Sequence, residues 1–351
     1  MKKFAWLAAA LLSLGVSSAL HAQEITSLAA VEYSGFSFDY MIQGEYQDAA
    51  AGRFYQIIAD GYMSFRVVGY PDGLPGAGWD RSMARFFGTG EVQGDQLIIT
   101  GTKMDIPRYE GVEGKSREIV FDEEMQKRKL RGRMGEGKYY ISDDKYGEEK
   151  ELTKVQRESP TLGAQAPEGA LVVFDGTNLD QFEEGAKMNE KAKTLWSEAR
   201  TKPFEKDRPY LLHLEFMTSF MPTKQGQARS NSGVYLAEAY ECQVLDSFGL
   251  EGENNECGGF YQFAKPIVNM CLPPLTWQTY DIDFTPAKYA DGKKTENARV
   301  TVRHNGVVIH DNVELPQETP GCKAEADEAR GLYLQGHGNK VQYRNIWVQY
   351  K

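Results

Sequence analysis

The second half of the sequence is a series of short β-rich segments joined by turn residues, with one predicted helix at residues 186–200. Parallel strands need long crossovers, usually helical, whereas antiparallel strands can follow one another through tight turns. The pattern therefore predicts an all-β antiparallel sandwich. The predicted strands are residues 171–174, 210–216, 233–236, 240–245, 278–284, 298–304, 307–310, 331–335 and 341–349.

The first half is also β-rich, and turn residues divide it into hairpins. Asp60-Gly61 supplies the positive φ angles of a tight turn between the first two strands. We expect a small antiparallel β domain at residues 24–156, a Ser/Pro/Gly/Ala-rich linker at 157–168 and a second domain at 169–351. The predicted hairpins pair residues 55–58 with 62–68, 86–92 with 97–100, and 129–134 with 138–141.

The first 22 residues have the pattern of a secretory signal peptide. Lys2 and Lys3 precede an apolar run from Phe4 to Val16, and Ala22 is a small residue before a cleavage point. The run is too short to span a bilayer. We therefore expect an exported protein, periplasmic or secreted, with no membrane-spanning segment.

Composition excludes one class of partner. The 351 residues carry a net charge of -10, and no basic face compensates for the repulsion of phosphates. The sequence therefore predicts no binding to nucleic acid.

All four cysteines lie in the second half, and an even number in an exported chain is typical of disulfides. The preferred pairs are Cys257 with Cys271 and Cys242 with Cys322. Buried free thiols are the alternative.

Strand parity separates a core face from a polar face, because alternate side chains point to opposite sides of a sheet. In residues 212–216 the leucines and Phe216 share one face, and His213 and Glu215 share the other. Amide, carboxylate, imidazole and phenol groups together are more typical of a cleft that binds hydroxyl groups than of a solvated surface. On the other strands the polar set is Asn231, Tyr235, Glu241, Gln243, Tyr333, Gln335 and His337.

Eight short motifs follow one another along the second half. Together they resemble the 3-keto-disaccharide hydrolase family over residues 170–351. The resemblance implies a concanavalin- or laminin-G-like jelly roll. The motifs are FDGTN at 174–178, NSGVYL at 231–236, YECQVLDS at 240–247, CGGFY at 257–261, WQTYD at 277–281, HNGVVIH at 304–310, LYLQGHGN at 332–339 and YRNIW at 343–347.

The resemblance also implies an enzyme, a hydrolase or lyase that acts on 3-keto-glycosides or 3-keto-disaccharides. A keto group at C3 of a pyranose acidifies the proton on C2, and a base removes it. The C1 substituent then leaves by β-elimination, and addition of water completes the hydrolysis. The partner is a small carbohydrate, oxidised beforehand by a separate sugar 3-dehydrogenase.

This chemistry needs a base, an acid and groups that hold hydroxyls. His337 is the predicted base, since imidazole titrates near neutral pH, and Glu241 and Asp246 are the predicted catalytic carboxylates. Asp246 has the opposite parity to Glu241, so it reaches the cleft only if the strand ends or bulges before it. The predicted substrate-binding residues are Asn231, Tyr235, Gln243, Tyr261, Gln335, Glu215 and His213.

No cofactor is required by these residues. A divalent metal that polarises the 3-keto oxygen, with Glu241, Asp246 and His337 as ligands, is left open. His304 and His310 flank an Asn-Gly turn and are predicted to be exposed rather than functional.

Two other functions fit the same fold. A jelly roll also serves as a carbohydrate-binding, lectin-like module, which needs no titratable base. A conventional glycosidase would need a second carboxylate roughly 5 to 9 Å from Glu241. His337 and Glu241 facing one cleft would favour the 3-keto-glycoside enzyme, and either one turned into solvent would favour the binding module.

Overall fold

The structure is a computed structural model that describes residues 38–48, 52–93, 96–107, 117–120, 129–135, 138–143 and 149–351. It is nearly all-β, as the sequence predicts. The chain divides into two units, one of residues up to Gln156 with Phe220–Thr223, the other of Arg157–Ser219 and Lys224–Lys351. The predicted signal peptide lies outside the described residues. Among the described residues, no helix has the length and hydrophobicity of a membrane-spanning segment.

The first unit begins with a short helix, α1 (Phe38–Ile42), and continues in strands. These are β1 (Gly44–Asp48), β2 (Arg53–Gly61), β3 (Ser64–Pro71), β4 (Leu74–Pro75), β5 (Gly78–Trp79), β6 (Arg85–Gln93), β7 (Gln96–Pro107), β8 (Arg117–Val120), β9 (Lys129–Gly135), β10 (Lys138–Asp143) and β11 (Glu149–Val155). Nine of them form one sheet in the order β6-β3-β2-β1-β11-β10-β9-β7-β8, in which β6 also pairs with β7. The short strands β4 and β5 pair with each other.

The three predicted hairpins are present as β2–β3, β6–β7 and β9–β10. The turn of the first lies two residues later than predicted, because Gly61 pairs with Ser64. Tyr62 and Met63 take the positive φ angles, 54° and 61°. Two consecutive residues with positive φ match the twist of the flanking strands, so the hairpin closes without a glycine at either turn position.

The second unit contains the remaining strands. These are β12 (Leu171–Phe174), β13 (Met188–Asn189), β14 (Thr194–Trp196), β15 (Ala199–Arg200), β16 (Tyr210–Met217), β17 (Ser232–Leu236), β18 (Tyr240–Val244), β19 (Gln278–Thr285), β20 (Lys288–Ala290), β21 (Lys293–Glu296), β22 (Ala298–His304), β23 (Val307–Leu315), β24 (Tyr333–Leu334) and β25 (Gln342–Tyr350). The larger sheet has the order β13-β14-β25-β16-β19-β22-β23, with β12 on β25. The smaller sheet has the order β15-β24-β17-β18, and β20 and β21 form a separate hairpin.

The core of this unit lies between the two sheets. Leu212 and Leu214 of β16 are fully buried, as are Val234 and Leu236 of β17. Facing sheets of a sandwich pack about 10 Å apart, and each fully buried aliphatic side chain contributes roughly 2 kcal/mol. The aliphatic residues of the predicted apolar faces are therefore buried on both sheets.

The predicted helix at residues 186–200 is wrong. The segment forms β13, β14 and β15, and two of these strands pair with strands far along the chain, β25 and β24. Lys193 and Glu198 have positive φ angles of 55° and 72°, which interrupt any helix. Pairing with distant strands overrides the local helical propensity here.

Residues 159–164, within the predicted linker, form a strap against the larger sheet. The hydroxyl groups of Ser159 and Thr279 are 2.6 Å apart. Thr161 donates a hydrogen bond of 2.7 Å to Asp281 Oδ2. The segment thus makes specific side-chain contacts with the outer face of β19.

His213 and Glu215, predicted to bind substrate, lie under this strap and away from the smaller sheet. His213 Nδ1 lies 2.7 Å from Asp281 Oδ1, and both His213 and Glu215 are fully buried. Glu215 accepts hydrogen bonds from the Gly163 amide at 2.6 Å and from Arg344 Nε at 2.6 Å. This part of the prediction is corrected, because parity gave the face of the strand but not what covers that face.

The charges under the strap stabilise one another. Burial tends to raise the pKa of Glu215, but hydrogen bonds from His213, Asn345 and Gly163 and the charge of Arg344 outweigh it and lower that pKa to about 2. Burial tends to lower the pKa of His213, but its hydrogen bonds with the carboxylates of Asp281 and Glu215 outweigh burial and raise it. The cluster is a fully partnered ion network.

The cysteines are all free thiols. Cys257 Sγ lies 3.2 Å from Tyr280 Oη, and Cys257 and Cys271 are hydrogen-bonded neighbours in the core. Cys322 Sγ contacts Thr319 Oγ1 at 2.8 Å. The predicted disulfides are absent from the structure, and the alternative of free thiols describes it.

His304 and His310 are buried rather than exposed. His304 Nε2 lies 3.0 Å from Gln278 Oε1, and burial lowers the pKa of His304 to about 3. His310 Nε2 donates to the Gly258 carbonyl at 2.6 Å. The prediction of exposure is wrong because the loop between β18 and β19 packs over this hairpin.

We expect Glu215→Gln to lower the free energy of unfolding by about 3 kcal/mol, because it removes a buried carboxylate and leaves the buried His213 and the partly exposed Arg344 with one partner fewer. Chemical denaturation followed by circular dichroism measures this change. The matched control is Glu205→Gln, which removes a pair with Arg208 in which both side chains are about half exposed. That change should cost under about 0.5 kcal/mol. Equal effects of the two substitutions would contradict the role given to the buried network.

Candidate functional site

The face of the smaller sheet that points away from the core carries a row of four side chains, one from each strand. Directly opposite residues of an antiparallel pair lie on the same face. Tyr235 on β17 is opposite Glu241 on β18 and Tyr333 on β24, and Tyr333 is opposite Arg200 on β15. Neighbouring strands are about 4.8 Å apart, so the row crosses roughly 14 Å of sheet.

Glu241 is the buried carboxylate of this row. It is 5% exposed, and burial raises its pKa to about 7, although a hydrogen bond with Tyr235 acts in the opposite direction. Within the described part of the chain, no cation pairs with it. Since it titrates near neutral pH, Glu241 has the property that a general base requires.

Gly233 makes room for this carboxylate. It is the residue opposite Gln243 and lies beside Glu241 on β18. A Cβ atom on Gly233 would lie 2.3 Å from Glu241 Oε1 and 2.7 Å from a ring carbon of Tyr235. Any larger residue would displace both side chains, so the glycine is a spatial requirement of the site.

Tyr235 links Glu241 to a third side chain. Gln335 Nε2 donates a hydrogen bond of 2.6 Å to Tyr235 Oη. The hydroxyl accepts there, so its own proton is available for the hydrogen bond with Glu241. Burial and the neighbouring Glu241 charge raise the pKa of Tyr235. Tyr235 therefore remains a protonated donor beside the carboxylate.

Three amide side chains next to the row have buried oxygens without partners. Gln227 Oε1 accepts hydrogen bonds from Asn231 Nδ2 at 3.0 Å and from Gln243 Nε2 at 3.1 Å. Because the amino groups are used in this way, the carbonyl oxygens of Asn231 and Gln243 point elsewhere. Among the described residues these two oxygens and that of Gln335 have no hydrogen-bond partner. Buried polar atoms are normally satisfied, so three acceptors together are suited to the hydroxyl groups of a ligand.

The row continues to Tyr333 and Arg200. The guanidinium carbon of Arg200 lies 3.7 Å from the centre of the Tyr333 ring, and the Tyr333 ring is 5.2 Å from that of Tyr235. Arg200 also pairs with Glu238. Beyond Tyr333 the face opens into a cavity of about 440 Å³.

Asp246, predicted as a second catalytic carboxylate, is engaged elsewhere. The strand ends at Val244, as a catalytic role would have required, but Asp246 is buried and accepts a hydrogen bond of 2.7 Å from Arg229 Nε. Its other oxygen accepts from the Phe248 amide at 3.4 Å. The ion pair fixes the loop that follows β18, so Asp246 is removed from the candidate catalytic groups.

His337 and Tyr261 are not joined to the row. His337 is exposed in the loop after β24, and Tyr261 is half-buried in a turn. In the described ranges neither side chain makes a hydrogen bond. The predicted metal ligands also do not gather, because no group of three His, Cys, Asp or Glu side chains in the described part of the chain could hold an ion.

Sequence reasoning missed two residues that shape the site. Gln227 lies in a single turn of 3-10 helix, Gly226–Ala228, where no periodic pattern marks it. Arg200 lies in the segment that was predicted to be helical. Gly233 also shapes the site, and it lies in the NSGVYL motif at the same strand parity as Asn231 and Tyr235.

We expect Glu241→Gln to become more stable than the wild type as pH rises. The folded-state pKa of Glu241 is raised from 4.5 to about 7, so the wild type carries its full stability below pH 4.5 and loses part of it as pH rises through 7. The loss approaches about 3 kcal/mol, and glutamine does not ionise. Denaturation at pH 4.5 and pH 8 measures the difference. A gap between the two proteins that does not change with pH would show that Glu241 is not desolvated.

A comparison with known proteins identifies the family to which the second unit is similar. A family model described as the 3-keto-alpha-glucoside-1,2-lyase-like domain matches residues 169–349, just over half of the chain. The chain is similar to a crystal structure named "putative glycosyl hydrolase" from Parabacteroides distasonis, with 28% identity, 53% of this chain and 85% of that chain covered, and a TM-score of 0.48. A second structure of the same name and organism has 16% identity, coverage of 51% and 93%, and a TM-score of 0.34. No curated protein matches. The chain belongs to the 3-keto-alpha-glucoside-1,2-lyase-like domain family.

Proposed function

We propose that this protein cleaves 3-keto-glycosides, including 3-keto-disaccharides, and that Glu241 is the base. The observation that supports this most is a buried carboxylate with a pKa of about 7 and no cationic partner among the described residues. A carboxylate with an ordinary pKa would be a weaker base towards a carbon acid. Membership of the family supports a carbohydrate-processing enzyme.

The proposed reaction starts with removal of the C2 proton. Glu241 takes that proton, and the electron pair of the C–H bond is delocalised onto the 3-keto oxygen as an enolate. The pair then forms the C1–C2 double bond as the bond from C1 to the leaving oxygen breaks. Water adds across this double bond, hydroxyl to C1 and proton to C2, and gives the free 3-keto sugar.

Tyr235 completes the proton balance. Its hydroxyl gives a proton to the leaving oxygen and receives from Glu241, its hydrogen-bond partner, the proton that came from C2. Both groups thus return to their starting protonation. The hydrogen bond from Gln335 to the Tyr235 oxygen stabilises the phenolate that forms in between.

The three unpartnered amide oxygens fit the substrate's hydroxyl groups. Asn231, Gln243 and Gln335 each present a carbonyl acceptor, and Gln227 holds two of these amides in orientation. Oxygens fixed before the sugar arrives bind hydroxyls without the entropy cost of ordering a flexible side chain. We assign these residues to substrate binding.

A second function, carbohydrate binding without catalysis, is favoured by one observation. His337, which the sequence predicts as the base, is exposed. A binding module would use the same amide oxygens and would not need Glu241 to ionise.

The deciding experiment compares a 3-keto-glucoside with the same glucoside before oxidation. We expect release of the leaving group from the keto substrate alone, with kcat/KM falling as pH falls through about 7 because Glu241 becomes protonated. Glu241→Gln should lower kcat by at least about a hundredfold. His337→Ala should retain activity within about threefold, since its side chain makes no hydrogen bond within the described residues.

Three results would contradict the proposal in different ways. Loss of activity in His337→Ala but not in Glu241→Gln would return the base to His337. Cleavage of the unoxidised glucoside at the same rate would indicate a conventional glycosidase. Binding of both sugars without turnover, measured by titration calorimetry, would establish a binding module.

A further inference from the structure

We infer that Arg200 and Tyr333 form a subsite for the leaving group, and that this subsite selects uncharged, hydroxyl-bearing groups over anionic ones. The inference rests on the proposed function, because it takes the oxidised ring to lie at Glu241. It assigns specificity to two side chains at the opposite end of the same row.

The position of the subsite follows from the order of the strands. Glu241 is on the outermost strand, β18, and Arg200 is on the strand at the other edge of the smaller sheet, β15. Three strand spacings of about 4.8 Å separate them. In the inferred binding mode, C2 of the sugar lies at Glu241 and its C1 substituent follows the row along Tyr235 and Tyr333. That path ends at the 440 Å³ cavity.

Arg200 is held in a fixed orientation. Its guanidinium group stacks on the Tyr333 ring at 3.7 Å, and Nη1 pairs with Glu238, which also binds Lys323 Nζ at 2.8 Å. The other guanidinium nitrogens make no hydrogen bond to the described residues. A guanidinium fixed by stacking and by an ion pair presents its remaining N–H donors at low entropic cost.

The lining of the cavity combines these donors with acceptors. Glu183, Glu184 and Glu198 are exposed around it, together with Lys187. In the described residues these three carboxylates have no ion-pair partner. The three carboxylates outnumber Lys187 and Arg200, so the lining is negative overall. Adjacent donors and acceptors bind hydroxyl groups well, whereas a carboxylate on the leaving group would be repelled.

The test uses two 3-keto-disaccharides of the same linkage, one with glucose and one with glucuronic acid as the leaving group. The two groups have nearly the same size and differ in charge. We expect kcat/KM of the wild type to be at least tenfold higher for the glucose compound. Glu198→Gln should reduce this preference several-fold by removing one repelling charge.

A variant of Arg200 gives the second measurement. Arg200→Gln should lower kcat/KM for the glucose compound at least tenfold more than for the methyl 3-keto-glucoside, whose leaving group does not reach the cavity. The matched control is Glu190→Gln, close in sequence but outside the lining. It should leave both the charge preference and the methyl activity unchanged.

Failure of the inference differs from failure of the proposed function. Equal rates for the glucose and glucuronic acid compounds, or an equal effect of Arg200→Gln on the large and small substrates, would overturn the subsite while catalysis stands. If no keto substrate is cleaved, calorimetry with the unoxidised disaccharides decides. Weaker binding of the glucuronic acid compound, with both affinities reduced in Arg200→Gln and not in Glu190→Gln, would support the subsite, and equal binding would overturn it.

Discussion

The register of β17 with its two neighbours is the constraint on which the candidate site depends. Tyr235 faces Glu241 on one side and Tyr333 on the other. A shift of one residue in either pairing would turn the whole polar set towards the core and the aliphatic residues Val234 and Leu236 outwards. The apolar face thus fixes the register, and the register assembles the site. Stability and function depend on the same alternation.

Desolvation then gives the row its chemistry. A carboxylate in water is mostly ionised well below neutral pH, and an ion pair would lower its pKa further. Glu241 is largely desolvated and has no cation beside it among the described residues, and the absence of a Cβ on Gly233 leaves the space that its carboxylate occupies. Asp246 is also buried, but it forms an ion pair with Arg229. Two buried carboxylates five residues apart therefore differ in their partners, since only Asp246 has a cation beside it among the described residues.

The larger sheet uses buried polar groups for the opposite purpose. His213 and Glu215 alternate with leucines as Glu241 alternates with core residues, but the strap of residues 159–164 covers them and satisfies their hydrogen bonds. A fully satisfied network rigidifies the structure, whereas a partly satisfied network keeps acceptors without a hydrogen-bond partner. The three amide oxygens at the smaller sheet belong to the second kind. The polar faces of the two sheets therefore differ in whether their hydrogen-bonding groups have partners, and not in their polarity.

Sequence alone determined the all-β class, nine of the fourteen strands of the second unit, the polar set on the smaller sheet and the family, because strand alternation and ordered motifs are local properties. It did not determine which polar face keeps acceptors without a hydrogen-bond partner, since the strap contacts β16 and β19 from more than fifty residues away. It placed Arg200 in a helix because local propensity competes with pairing to a distant strand. The choice of Glu241 over His337 as proposed base likewise came from tertiary structure, because burial changes a pKa and exposure leaves a side chain without partners, and neither can be read from the order of residues.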